Sequence, residues 1–108
     1  MTNDTFQTMR QLAVRAGDAL TILLAYGPEK FPTEEGVTFD EYVSRALSTL
    51  AELEAHTRSD WKKRLLGVVG SEVRQAHDAS VRSLDSDKAR ALLHDAYHHF
   101  RDYLEGSG

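Results

Sequence analysis

No cysteine occurs among these 108 residues, so disulfide staples, thiolate metal sites and thiol nucleophiles are all excluded. Proline is scarce: the two that occur, Pro28 and Pro32, sit close together, which leaves the rest of the chain free to form long helices without a breaker. A basic surplus is missing as well. The formal net charge is −4, and nucleic-acid binders usually show the opposite balance, so nucleic acid is disfavoured as a partner. No apolar run approaches membrane-spanning length, and the first residues lack a basic segment followed by an apolar stretch; a soluble, cytoplasmic protein with no membrane partner is therefore expected. Neither a Gly-x-Ser-x-Gly elbow nor a glycine-rich phosphate loop occurs.

What remains is 41% apolar and 28% charged, a balance that suits one folded domain with a modest core and argues against disorder. The apolar residues recur at helical spacing in four stretches. Phe6, Met9, Ala13, Ala16, Leu20 and Leu23 follow one another at steps of three and four, after a capping-box-like pair at Asp4 and Gln7. Gly27 and Pro28 supply the stop. Thr38 with Glu41 opens a second helix, with Val37 placed to staple onto Tyr42, and Phe39, Val43, Ala46, Leu50 and Leu53 form its stripe. Between these helices Phe31 is expected to tuck over one end of the core.

The next joint carries neither glycine nor proline. An unbroken helix from Thr38 to Leu84 is too long for so small a chain, so a tight turn is expected at 57–59 with Ser59 as cap. Trp61, Leu65, Val69, Val73, Ala76 and Leu84 give the third stripe. Gly67 and Gly70 fall inside it at about 1 kcal/mol each, which points to a close backbone neighbour or a bend. Asp85 or Ser86 caps the last helix, whose buried arc holds Ala89, Leu93, Ala96, Phe100 and Tyr103. These patterns predict an all-α, single-domain antiparallel (up-down-up-down) four-helix bundle, residues 1–105, with helices at about 4–26, 38–56, 59–83 and 86–104. Residues 106–108 read as a natural end or a cloning remnant.

Chemistry is sparser. His94 and His98 lie about 40° apart around the last helix, on the side away from its apolar arc. That i, i+4 spacing lets two imidazoles share one divalent metal, with His56, His77 or a second chain as the further ligand. HDAYHHFR, His94 to Arg101, is similar over eight residues to the histidine pair of DinB-like bundles; under a tenth of the chain is covered and the pair faces outward, so no family is assigned. The Glu-x-x-His pairs of ferritin-like di-iron bundles are absent. His98 with Asp102, and His99 with Asp95, are spaced as surface ion pairs that contribute little. Glu72 projects toward the core edge and needs a partner if buried, for which Arg10 is placed.

Lys62, Lys63 and Arg64 form the one basic cluster, near a helix start, where an acidic partner or phosphate could dock. Ile22, Val14 and Val81 lie outside the core stripes and offer association surface. No catalytic constellation and no cofactor is evident. The expected role is non-enzymatic, by binding another protein or a second copy, with interaction residues Lys62, Lys63, Arg64 and Ile22. The alternatives are a metal-binding bundle using His94 and His98, and a regulatory or immunity-type partner of a toxin or enzyme.

Overall fold

The structure is a computed structural model that describes the backbone of residues 3–32 and 34–106 and the side chains of 7–32 and 34–106. The cap expected at Asp4 and the stripe residue Phe6 fall outside the described side chains, as Ser107 and Gly108 fall outside the described backbone. The described residues are all-helical apart from their links: α1 (Asn3–Tyr26), α2 (Phe39–His56), α3 (Asp60–Val81) and α4 (Ser86–Glu105), with a short 3-10 turn at Pro28–Lys30. No helix among them is long and apolar enough to cross a membrane.

α1 ends where Gly27 takes φ 62° and its N–H donates to the Leu23 carbonyl at 2.9 Å. That backbone is open to glycine and strained for other residues. A Cβ there would also come within 3.0 Å of Nε of Arg90, whose guanidinium clasps the Glu29 carboxylate and so ties the 3-10 turn to α4. The Arg90 hydrogen bond holds the Glu29 carboxyl below its ordinary value. Phe31 then lays its ring 5.3 Å from Tyr26, 5.6 Å from Phe39 and 5.6 Å from Tyr42, which closes this end of the core with aromatic contacts.

α2 opens with the side chain of Thr38 accepting the Glu41 N–H at 3.2 Å, a cap that contributes about 1 kcal/mol. Its end explains a break that has no glycine or proline. The Thr57 hydroxyl donates to the Leu53 carbonyl at 2.7 Å, the acceptor that the Thr57 N–H would use in a continuing helix. That N–H turns instead to the Glu54 carbonyl, at 3.1 Å. Thr57 thus satisfies the last turn by itself, buried, while its backbone goes extended. Ser59 occupies the cap position of α3 as expected, but its hydroxyl makes no capping bond. At the other end Asp85, not Ser86, caps α4 by accepting the Lys88 N–H at 3.0 Å.

α3 packs most extensively on α4, and α1 on α2; contacts of α2 with α3 and of α1 with α4 close a ring of four neighbours. Inside it lie Ala16, Leu20 and Leu23 of α1, Val43, Ala46, Leu50 and Leu53 of α2, and Ala89, Leu93, Ala96, Phe100 and Tyr103 of α4. Each large side chain fully buried in this way contributes about 1.5–3 kcal/mol.

The third stripe differs from expectation. The buried residues are Leu66, Val69, Gly70, Val73, Ala76 and Ala79, whereas Trp61 is 41% and Leu84 84% exposed, and Leu65 only packs on the rim. Val69, Val73 and Ala76 lie inward as expected, and three of the six inward residues, Gly70, Ala76 and Ala79, are small, which lets facing helices approach closely. Leu84 lies past the helix end at φ 50°, in the turn where Asp85 donates to the Ala79 carbonyl. Gly67 and Gly70 also differ: a Cβ at Gly67 would meet nothing within 4 Å, and one at Gly70 only Leu47 at 4.0 Å and Arg74 at 3.9 Å. Neither glycine is required by a close backbone. Gly106, set apart from the domain on sequence grounds, closes α4 by donating to the Asp102 carbonyl at 2.9 Å and lies against the Trp61 ring.

Candidate functional site

α4 turns one face to the core and leaves the opposite one in water, and His94 and His98 stand together on the wet face. Their Nε2 atoms are 3.1 Å apart and their ring centroids 4.3 Å. At that distance one Nε2–H donates to the lone pair of the other, so the two imidazoles share a single proton between atoms that are both metal ligands when deprotonated. Two nitrogens bound to one tetrahedral zinc at about 2.0–2.1 Å lie roughly 3.3 Å from each other. A small splay of the rings turns the observed pair into a bidentate chelate.

The third ligand expected from His56 or His77 does not join them. His56 is exposed at the end of α2, and His77 is held by α2: its Nε2 is 2.7 Å from Oδ1 of Asp40 and its ring stacks on Phe39 with centroids 6.1 Å apart. Among the described residues no group of three His, Asp or Glu could hold a metal.

His99 departs from the expected pairing. Rather than meeting Asp95 on its own helix, its Nδ1–H donates to Oε1 of Glu72 on α3 at 2.7 Å. The Glu72 side chain is only 13% exposed. A carboxylate that far out of water needs a donor, and His99 on the flank of α4 supplies it in place of the anticipated Arg10. His98, turned to His94, likewise leaves Asp102 aside. The geometry therefore divides the histidines: His99 and His77 fasten helices to one another, while His94 and His98 answer each other, with the Tyr97 ring of the same helix edge-on to His98 at 5.8 Å.

The basic cluster divides too. Lys62 folds back over the rings of Tyr103, at 5.3 Å, and Trp61, at 6.0 Å, where cation–π attraction and the buried stem favour it. Lys63 and Arg64 stay exposed. Ile22 is half-buried in the wall of an open groove of about 600 Å³ between α1 and α2, with Ala19 and Tyr42 as apolar lining and Arg15, Asp18 and Arg45 as charged lining. The Arg45 guanidinium sits 5.1 Å over the Tyr42 ring. Small Ala19 and Ser48 are among its lining residues, a signal that the spacing of large apolar residues does not carry. Val14 lines a separate recess beside Gly17 and Leu104, and Val81 lies exposed at the end of α3, so the three outer apolar residues form no single patch.

No family model, curated protein or solved structure matches this chain.

Proposed function

We propose that this protein is an interaction module: an antiparallel up-down-up-down bundle that binds another protein through the groove between α1 and α2. The short links at 57–59 and 82–85 and the closed ring of neighbouring helices support that helix order. The observation that carries the binding reading is the groove itself, lined by apolar Ala19, Ile22 and Tyr42 together with charges of both signs at Arg15, Asp18 and Arg45. This is the composition of a patch that buries a few apolar anchors inside a polar rim. A helix of the partner, presenting apolar residues at i, i+3 and i+4, fits such a surface. A regulatory or immunity-type role would use the same groove.

The test is site-specific photo-crosslinking in the cells that make the protein, with the photoreactive side chain at Ile22 or, as a control, at exposed Arg82. A discrete protein adduct from Ile22 that Arg82 does not form is expected. Equal adducts from both positions, or none from Ile22, overturn the reading.

A second reading has its own observation. His94 and His98, 3.1 Å apart at Nε2, are set to chelate a divalent metal that imidazole favours, zinc foremost.

A further inference from the structure

We infer that the metal held by His94 and His98 is completed by the same two histidines of a second copy of this chain, so that one zinc ion joins two bundles back to back through α4. The inference rests on the chelate reading above and adds the partner. One chain supplies two nitrogens, while a closed structural zinc site takes four ligands. Among the described residues no third His, Asp or Glu stands with the pair, and both rings are exposed on the outer face of a helix. A two-fold axis through the ion doubles two ligands to four without a further residue from either chain.

The surroundings suit an antiparallel crossing of the two α4 helices. With the axis between His94 and His98, Ala91 of each copy lies opposite Arg101 of the other, and Arg90 opposite Asp102. Ala91, exposed and one turn before His94, adds only a methyl group and lets the helices approach. Arg90, already bound to Glu29, keeps further guanidinium N–H groups for a second carboxylate. A parallel crossing would instead set Arg90 on Arg90 and Asp102 on Asp102. At the far ends Asp87 meets Glu105 in open solvent, where like charges are well screened and Glu105 has Arg101 beside it.

Metal uptake requires both Nε2 atoms to present lone pairs, so the proton they share is displaced as the ion enters. The unfilled half of the coordination sphere then selects another pair of imidazoles of the same spacing, which a second copy carries by construction of the symmetry.

The experiment uses the full chain purified without an affinity tag and titrated with zinc chloride. Molecular mass is followed by light scattering and bound zinc by equilibrium dialysis, for the wild type and for H94A, H98A and A91R, each checked for unchanged helicity. The expected result is a doubling of the 12.1 kDa mass with one zinc per two chains, reversed by a chelator and lost in H94A and H98A. A91R, which sets an arginine against Arg101 of the other copy, should bind zinc while staying single. One zinc per chain with no change of mass overturns the two-copy site and leaves the chelate standing. Equal zinc uptake by the wild type, H94A and H98A overturns both.

Discussion

Replacing the two glycines inside α3 should make the protein more stable, and the structure says by how much. Gly67 is exposed, and a Cβ built on it meets no atom within 4 Å, so Gly67→Ala changes only the backbone's conformational freedom. In a helix interior that is about 1 kcal/mol in favour of alanine. Gly70 is buried, and its Cβ would rest at 4.0 Å from Leu47 and 3.9 Å from Arg74, ordinary contact distances. Gly70→Ala therefore gains the same propensity and buries a methyl, about 0.8 kcal/mol more. The two positions lie one turn apart but share no side-chain partner, so the double variant should gain roughly 2–3 kcal/mol, near the sum. In a domain of this size Gly67→Ala alone should raise Tm by about 4–8 °C. Urea and thermal unfolding followed by far-ultraviolet circular dichroism measure both. A loss of stability in Gly67→Ala would refute the reasoning, because it would mean that another backbone or a bend in α3 needs the missing side chain.

Three further predictions follow from individual contacts. His99→Ala should cost about 1–3 kcal/mol by leaving the Glu72 carboxylate without its donor, while Asp95→Ala should change little; a double-mutant cycle of His99→Ala with Glu72→Ala should give a coupling of roughly 0.5 kcal/mol or more, and zero coupling would break the assignment. Gly106→Ala should move the Trp61 emission maximum to the red, since the new Cβ overlaps Cη2 of the indole and lies 2.7 Å from Cζ2, driving a side chain already 41% exposed further into water; an unchanged spectrum contradicts the packing. The clasp of Arg90 on Glu29 lowers the Glu29 pKa from 4.5, so its stabilisation is present above that value and is lost as pH falls through the lowered one. The stability difference between the wild type and Glu29→Gln should accordingly be full at neutral pH and fade below about pH 4.5, as acid-dependent urea midpoints would show.

The helical class and three of the four core stripes could be read from spacing, because a period of 3.6 residues is imposed by every element that buries one face. Thr38 with Glu41 marked the α2 start because that cap is made by side chains within one turn. Chain length, not local chemistry, predicts the break at Thr57; its cause, a buried hydroxyl taking the Leu53 carbonyl, uses a residue that carries no break signal in sequence. In α3 spacing places Val69, Val73 and Ala76 inward, as they are, but not Leu66, Gly70 and Ala79, because the large Trp61, Leu65 and Leu84 draw the expected stripe to one side while Trp61 lies outside against Gly106. Partners across helices were the least legible. Glu72 found His99 and Asp40 found His77, pairs separated by 27 and 37 residues, and no local spacing encodes such distances.

That division among the histidines gives the sharpest way to separate what folding needs from what it leaves over. A bundle fixes each residue's angle around its helix, and the angle decides what the side chain can reach. His99, on the flank of α4, reaches α3; His77 reaches α2; His94 and His98, at the centre of the exposed face, reach each other and, at His98, the Tyr97 ring of their own helix. An exposed pair held by one shared hydrogen bond contributes little in water. Hence His94→Ala and His98→Ala, in metal-free buffer, should each leave stability within about 0.5 kcal/mol of the wild type, while His99→Ala should not. If the outer substitutions prove as costly as the inner one, the pair belongs to the scaffold, and the case for a site that waits for something outside the chain is lost.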